Sequence, residues 1–188
     1  AGTDLTRLAE SRRLCRMISY REPTVDDADA LSIVGRKSFV ETFGHLYSAK
    51  DLQAFLDQVW GDGVCAGEIA AGERTYRIAE EDGRIIGFAK VGKTYMDLPD
   101  DGRTKIELAQ LYVLKPWQGT GVAAALMDWA MNMAEASGAD DCYLSVWSEN
   151  ARAQRFYARY GFEEVGQHIF MVGDHEDDDR IWRKRLRA

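Results

Sequence analysis

Cysteine is scarce in this chain, and its spacing excludes the sites that cysteine usually builds. The three cysteines are Cys15, Cys65 and Cys142, and no two are close enough for a CxxC pair. Disulfide frameworks need paired cysteines, and zinc sites need closely spaced ligands. We therefore expect no disulfide, no bound metal, and a reducing cytoplasm as the location.

Long apolar runs and an excess of positive charge are also missing. No stretch approaches the roughly 18–20 apolar residues that a membrane-spanning helix needs, and the N-terminus lacks the apolar core of a signal peptide. The formal net charge is −7, whereas a general nucleic-acid binder needs a basic face. The sequence predicts neither a membrane nor a nucleic-acid partner. Its acidity is compatible with a cationic substrate, but it is also the commonest state of soluble proteins.

Proline is rare as well, and no linker divides the chain. Only three prolines occur among 188 residues, and no serine- or glycine-rich run separates two halves. With 46% hydrophobic and 29% charged residues, the chain can bury one core. We expect a single domain over residues 17–188, preceded by a charged, loosely helical appendage over residues 1–16.

Periodicity and turn signals predict a mixed α/β fold. Asp82–Gly83 between two β-rich runs indicates a hairpin. The run 105–114, a helix over 122–136 and the run 141–148 form a strand–helix–strand crossover, which sets two strands parallel. The predicted order is βααβββαβαββ. It corresponds to a mixed, mostly antiparallel sheet with helices on both faces.

Two glycine-rich stretches match phosphate-binding patterns. GFAKVGKT (87–94) fits G-x-x-x-x-G-K-[ST], but it lies in the second arm of the predicted hairpin and a proline-containing loop follows it. A triphosphate-binding loop needs a strand before it and a helix after it. QGTGVA (118–123) has both. The sequence therefore predicts phosphate binding at QGTGVA and none at GFAKVGKT.

QGTGVA also fits [RQ]-x-x-G-x-[GA], and with its surroundings it resembles the GNAT superfamily of N-acetyltransferases. ELAQLYVLKPWQGTGVAAALM is similar to that family's acetyl-CoA strand, loop and helix. SENARAQRFYARYGF (148–162) resembles its next element, N-x-x-A-x-x-F-Y-x-x-x-G-F. The two motifs have the family's separation, and the likeness covers roughly residues 17–187. It implies direct transfer of an acetyl group from acetyl-CoA to a primary amine in a ternary complex.

The resemblance also implies which groups contact acetyl-CoA. The diphosphate is expected to meet a helix N-terminus and the backbone of Gln118, Gly119, Thr120, Gly121, Val122 and Ala123. The pantetheine arm is expected to pair like an added strand with the backbone of Leu111, Tyr112 and Val113. A free backbone N–H near Leu111 or Tyr112 would face the thioester oxygen. Asn150 is expected to contact the cofactor and cap its helix; Arg152 and Arg155 either meet phosphates or remain solvated.

The acid and the base follow from the same resemblance. Tyr157 stands where the family has its general acid, although plain packing on a helix face is the alternative. Glu107 lies eleven residues before Gln118, as a catalytic glutamate does in some members, and is the first candidate for the base, directly or through water; a solvated or ion-paired glutamate at a strand start is the alternative. Glu41 is the second candidate, and Gln110 would only position water.

The acceptor is the least determined part of the site. KSFVETFGHLYSAKDLQAFL resembles the first two helices of a polyamine acetyltransferase-like branch. Glu41, His45 and Tyr47 would there contact an amine, with packing or capping as the alternative for each. The segment GDHEDDD (173–179) is expected to be an acidic loop, either solvated or attracting a polyamine.

Two other functions remain open at this point. One is a non-catalytic acyl-CoA-binding or regulatory module on the same fold, and the other is a nucleotide hydrolase using Gly92–Thr94. The expected partner of the enzyme is a small amine, and the resemblance leaves a homodimer open.

Overall fold

The computed structural model describes residues 17–187, and their strands form one seven-stranded sheet in the order β1-β2-β3-β4-β5-β7-β6. The strands are β1 (Ile18–Arg21), β2 (Arg74–Glu81), β3 (Arg84–Gly92), β4 (Lys105–Val113), β5 (Asp141–Trp147), β6 (Glu163–Val172) and β7 (His175–Arg185). The appendage expected over residues 1–16 lies outside the described residues.

Helices cover both faces of the sheet. They are α1 (Ala28–Phe43), α2 (Ala49–Trp60), α3 (Val64–Ala71), α4 (Val122–Ala136) and α5 (Ala151–Arg159), with short 3₁₀ turns at Val25–Asp27, Gly44–Leu46 and Lys115–Trp117. The predicted fold class is confirmed, and α3 is an additional helix that the sequence reading did not include. In the described part of the chain, no helix is long and apolar enough to cross a bilayer.

Neighbouring strands are antiparallel except for β4 and β5, which are parallel. The β2–β3 hairpin turns at Asp82 and Gly83, with φ of 51° and 73°. Positive φ at both central residues is the turn that matches strand twist, so the predicted hairpin is confirmed. The parallel pair arises because α4 carries the chain from the end of β4 back to the start of β5.

GFAKVGKT lies in a sheet and not at a helix N-terminus. Gly87 to Gly92 belong to β3, which is paired with β2 on one side and β4 on the other. Lys93 follows the strand and its Nζ lies 3.4 Å from a carboxylate oxygen of Glu73. The next regular element is β4. The prediction that this stretch is the second arm of a hairpin is therefore confirmed.

Two hydrophobic clusters, one on each face, hold the helices to the sheet. Helix α4 packs on the first face, where the buried residues include Ala89, Leu108, Leu126, Met127, Ala130 and Leu144. Helices α1, α2 and α3 cover the second face, where they include Leu31, Phe39, Phe55, Ile78 and Phe88. We call these the α4 face and the α1–α3 face.

The segment GDHEDDD is not a loop, and that expectation is corrected. The turn between β6 and β7 is confined to Gly173 and Asp174, and β7 begins at His175. Asp177 and Asp179 are each only 7% exposed. Alternation along a strand therefore directs these two aspartates to the interior while their neighbours are exposed.

Candidate active site

Strands β4 and β5 pair at one end only and then diverge. The paired residues are Lys105 with Asp141, Ile106 with Cys142 and Glu107 with Tyr143. Beyond them β4 continues along β3, and β5 continues along β7. A wedge-shaped cleft therefore opens within the sheet, and one edge of β4 borders it.

The edge of β4 that borders the cleft carries backbone groups without a strand partner. A bulge lies in β4, because Lys90 pairs with Gln110 and Val91 pairs with Leu108, which leaves Ala109 as the extra residue. Bulges bend a strand and increase its twist. The segment 111–113 follows the bulge. An open strand edge of this kind accepts another extended chain by backbone pairing.

The QGTGVA segment leads into the N-terminus of α4. Gly119 and Gly121 have φ of 81° and 96°, which is the left-handed region that glycine favours. A Cβ built at either position would have no heavy atom within 4 Å, so the backbone is approachable there. Within residues 17–187, the amides of Gly121, Val122 and Ala123 have no hydrogen-bond acceptor. Free amides at a helix N-terminus bind anions.

Gln118 links the glycine loop to both sides of the cleft. Its Nε2 donates to the carbonyl oxygen of Val113, at the end of β4, over 3.0 Å. Its Oε1 accepts from Nη1 of Arg152, in the first turn of α5, over 2.7 Å. The two bonds fix the loop relative to β4 and α5. Arg152 is thereby engaged with the loop, whereas Arg155 is exposed.

Helix α5 presents Tyr157 beside the cleft. Asn150 caps this helix by accepting from the amide of Ala153 over 3.1 Å. The Tyr157 ring packs against Phe156 and Phe162, with centroids 5.5 and 6.2 Å away. Burial raises the pKa of Tyr157 to about 12. Within the described residues its hydroxyl has no hydrogen-bond partner, so it is a protonated donor that the fold leaves free.

Tyr112 and Tyr157 pack on opposite faces of the sheet. Tyr112 packs against Phe88 on the α1–α3 face, with centroids 5.6 Å apart, whereas Tyr157 packs on the α4 face. Burial raises the pKa of Tyr112, and the charges of Tyr157 and Asp179 raise it further. Tyr112 lies on the part of β4 that borders the opening, and Asp179 lies opposite Trp147 in the part of β5 that has diverged from β4.

Glu107 is held by an ion pair where the strands are still joined. Its Oε2 accepts from Nη2 of Arg74 over 2.8 Å, and the two side chains are 13% and 14% exposed. The backbone amide of Tyr95 also donates to it over 3.4 Å. Glu107 lies opposite Tyr143, at the last pair of β4 and β5.

The three residues expected at the acceptor do not all meet. Glu41 accepts from the backbone amide of Lys115 over 3.3 Å, next to the glycine loop. His45 is exposed in the turn after α1. Tyr47 donates a hydrogen bond to Oδ2 of Asp177 on β7. The structure therefore brings Tyr47 to the interior and leaves His45 outside.

Buried carboxylates of β7 form the part of the site that sequence reasoning missed. Oδ2 of Asp179 accepts from Oγ of Ser145 over 2.9 Å, and Oδ1 of Asp177 lies 3.3 Å from Nε2 of His175. Burial raises the pKa of Asp179 to about 6 against the hydrogen bond from Ser145, and the charges of Asp177 and Asp178 add to this rise. The sequence signal that could have identified this strand is that Asp177, Asp179 and Ile181 occupy every second position.

Aromatic side chains and one unpaired amide oxygen complete the surroundings. Trp147 pairs in register with Asp179, and its ring meets that of Phe43 edge-on at 6.1 Å. Gln110 shares the α1–α3 face of β4 with Tyr112, and its Oε1 is buried without a hydrogen-bond partner. In the described ranges, no group of three or more His, Cys, Asp or Glu side chains could hold a metal ion.

Comparisons with known proteins agree with this architecture. Residues 44–173 match the family described as Acetyltransferase (GNAT) domain. An uncharacterized N-acetyltransferase of Mycobacterium tuberculosis is 34% identical over 160 residues, which cover 85% of this chain and 98% of that protein. A spermidine N(1)-acetyltransferase of Thermoplasma acidophilum is 23% identical over 175 residues, which cover 91% of this chain and 99% of that protein.

One solved structure gives the same picture of the fold. It is an N-acetyltransferase from Thermoplasma acidophilum in complex with coenzyme A, with a TM-score of 0.71 and 21% sequence identity. The match covers 90% of this chain and 99% of that chain. At this identity, the likeness supports the fold and the order of its elements.

Proposed function

The chain belongs to the GNAT acetyltransferase family, and we propose that it moves an acetyl group from acetyl-CoA directly to a primary amine in a ternary complex. The observation that carries the proposal is the divergence of β4 and β5. It leaves an open strand edge beside a glycine loop, a helix N-terminus and a free phenol. The strand edge would pair with an extended pantetheine arm. The glycine loop and the helix N-terminus would bind a diphosphate, and the phenol would protonate a leaving thiolate.

The backbone around the cleft fits coenzyme A in chemistry and in space. Leu111, Tyr112 and Val113 would offer N–H and C=O groups to the pantetheine amides along the bordering edge. Gly119 and Gly121 leave open space where a diphosphate would approach the free amides of α4. Acetyl-CoA supplies the activated acyl group, and an N–H of β4 would stabilise the oxygen of its carbonyl.

Tyr157 is the acid in this proposal. Its pKa of about 12 keeps the phenol protonated at neutral pH, and within the described residues nothing else accepts its proton. It would donate that proton to sulfur as the carbon–sulfur bond breaks. Asn150 would act indirectly, by starting the helix that carries Tyr157.

Two carboxylates beside the cleft are candidates for the base. An alkylamine has a pKa of about 10.4, so it arrives as an ammonium ion and must lose a proton before it attacks. Glu107 has the position that the family resemblance favours, but it already pairs with Arg74. Asp179 forms no ion pair among the described residues. The contact of Glu41 with Lys115 favours a role in holding the cofactor loop.

We propose a small primary amine as the acceptor, with a polyamine as the first candidate. The buried carboxylates of Asp177 and Asp179 give the α1–α3 side of the cleft a negative charge, which favours a cation. Tyr47 and the aromatic rings of Trp147 and Phe43 add faces that suit an alkylammonium ion. The relative named spermidine N(1)-acetyltransferase supports the same choice.

Release of free thiol from acetyl-CoA tests this function. The purified chain would be incubated with polyamines, amino acids and peptides that have free N-termini, and the acetylated product identified by mass. We expect thiol release that depends on an amine and is fastest with a polyamine. If coenzyme A binds but no amine gives thiol release, the chain is a non-catalytic acyl-CoA-binding module.

A further inference from the structure

The geometry points to Asp179 as the residue that binds the ammonium group of the acceptor and takes its proton. This inference rests on the acetyltransferase function proposed above and names the base for it. No pattern in the family resemblance includes Asp179. The inference comes from its position in the sheet, from its unused oxygen and from the absence of a cation beside it.

The position of Asp179 is fixed by three adjacent strands. It lies on β7 opposite Trp147 of β5 and opposite His168 of β6. Ser145, two residues from Trp147 on the same face of β5, binds its Oδ2 over 2.9 Å. These contacts hold the carboxyl group on the α1–α3 face, beside the opening that Tyr112 borders. A base must be held in place to be effective.

One oxygen of Asp179 has no partner within the described residues. Ser145 binds Oδ2, and the other oxygen, Oδ1, receives no hydrogen bond from residues 17–187. By contrast, Asp177 uses one oxygen for Tyr47 and the other for His175. Asp179 therefore has one oxygen with no polar side chain beside it among these residues, whereas each oxygen of Asp177 has one.

Asp179 is also a buried charge without a counter-charge. Three aspartates are buried in the described part of the chain. Asp141 pairs with Arg103 over 2.6 Å, and Asp177 faces His175 over 3.3 Å. Asp179 has no cation within reach among residues 17–187. Because buried charges are normally paired, a missing cation at this place is what a cationic substrate would supply.

The neighbouring titratable groups define what a pH profile would report. Burial raises the pKa of Asp179 to about 6, with Asp177 and Asp178 adding to the effect. This value suits a base that works near neutral pH. The groups that face Asp179 or act on it are Asp177 and Asp178 on its own strand, His168 on β6, Tyr47 between α1 and α2, and Tyr112 on β4. Of these groups, His168 could also give an ascending limb in the pH profile near pH 6, so it needs its own control.

The groups described account for every proton that the reaction transfers. Asp179 takes one proton from the ammonium ion, and the neutral nitrogen attacks the thioester carbon. As the carbon–sulfur bond breaks, its electron pair goes to sulfur, and Tyr157 gives its proton there. The nitrogen loses its second proton as it becomes an amide, and this proton goes to the Tyr157 phenolate and restores the phenol. Asp179 releases its proton to solvent, so the net reaction yields amide, thiol and one proton.

The test is the pH dependence of kcat/KM in four variants of the full chain. Asp179→Asn should lower kcat by about a hundredfold or more and remove the ascending limb near pH 6. His168→Gln should keep that limb, and Glu107→Gln should keep it as well. Asp178→Asn is the matched control, because Asp178 is exposed and pairs with Arg180; it should retain the rate and an ascending limb, which should move to lower pH because the charge of Asp178 adds to the raised pKa of Asp179.

A further variant keeps the inference testable if Asp179→Asn does not fold. Ser145→Ala removes the hydrogen bond that lowers the pKa of Asp179, so the limb should move to higher pH. A limb that stays in place in this variant, or one that survives Asp179→Asn, overturns the inference. Loss of the limb in Glu107→Gln would assign the base to Glu107.

Failure of the inference can be told from failure of the proposed function. If the wild-type chain releases no thiol with any amine, the acetyltransferase function itself is wrong. If the wild type is active and Asp179→Asn keeps its rate and its pH profile, the function stands and only the role of Asp179 is wrong.

Discussion

The phenol of Tyr47 donates a hydrogen bond to the buried carboxylate of Asp177, 130 residues further along the chain. This bond ties the connection between α1 and α2 to β7. Tyr47 also stacks on Phe39 with ring centroids 5.9 Å apart and meets His175 edge-on at 5.3 Å. The acceptor side of the cleft is thus closed by residues from both ends of the domain.

Replacing Tyr47 with phenylalanine should loosen this closure. The ring would remain, but a buried carboxylate would lose its donor, which costs about 1–3 kcal/mol of unfolding free energy. We expect KM for the amine to rise more than kcat falls. Steady-state kinetics and urea unfolding measure the two effects. Tyr95→Phe is the control, because Tyr95 is exposed and its hydroxyl donates to Glu73 at the surface; equal losses in both variants would contradict the prediction.

Replacing Tyr157 with phenylalanine should separate chemistry from binding. The ring packing against Phe162 remains while the proton donor is lost, so kcat should fall by about a hundredfold with little change in affinity for coenzyme A. Steady-state kinetics would measure kcat, and calorimetric titration would measure the affinity for coenzyme A. Tyr160→Phe is the matched control on the same helix, since its hydroxyl bonds to Asp128 over 3.1 Å. An unchanged kcat in Tyr157→Phe would refute its role as the acid.

Replacing Asp179 with asparagine should stabilise the folded chain at pH 8 and leave it nearly unchanged at pH 4. The folded pKa of about 6 lies above the ordinary value of 3.8, so the folded state binds the proton more tightly. The unfolding free energy therefore falls as pH rises from about 4 to about 6, and the loss persists at higher pH. At about 1.4 kcal/mol per pH unit, the gain at pH 8 is at most on the order of 3 kcal/mol.

Urea unfolding of the two proteins at pH 4, 6 and 8 measures this difference. We expect the gain in unfolding free energy of Asp179→Asn over the wild type to grow with pH. An equal effect at all three values would show that the carboxyl group has the same pKa in the folded and unfolded chains. Higher stability together with lower activity would be the usual sign of a functional group kept at a cost.

Replacing Gly121 with alanine should weaken coenzyme A binding beyond its effect on stability. Its φ of 96° lies in the left-handed region, where a Cβ costs roughly 1–2 kcal/mol, and the Cβ would stand among the amides that we propose bind the diphosphate. Gly63→Ala is a matched control, because Gly63 also precedes a helix with φ of 78° and open surroundings. We expect similar melting temperatures but a raised KM for acetyl-CoA in Gly121→Ala alone. Equal KM values would exclude diphosphate binding at this loop.

Local signals were sufficient to predict most elements of this fold. Helix α4 was predicted with its observed bounds, Val122 and Ala136, because a glycine turn, an apolar stripe and a terminal glycine all agree on them. The β2–β3 hairpin was predicted because Asp82–Gly83 lies between two β-rich runs. Helix α3 was missed because Gly63 at its N-cap has no side chain to mark the start, and its eight residues are too few to show a clear apolar period.

The acceptor side of the site could not be predicted in the same way. The run HEDDDR has the composition of a solvated loop, and only its pairing with β5 and β6 makes it a strand. The contacts of Asp177 with Tyr47 and of Asp179 with Ser145 join segments that are distant in sequence. Motifs describe the cofactor side because one continuous stretch builds it, whereas the acceptor side is assembled from four separate segments.

The unpaired edge of β4 also has a consequence for solubility. An exposed strand edge is usually a hazard, because it can join the sheet of another molecule and start aggregation. Here the edge lies inside the sheet, with β5 diverging from it only after three residue pairs. A neighbouring sheet would have to displace β5 to pair with this edge, whereas a single extended chain would not. The fold thus places its open backbone edge within its own sheet and not at the outer boundary of that sheet.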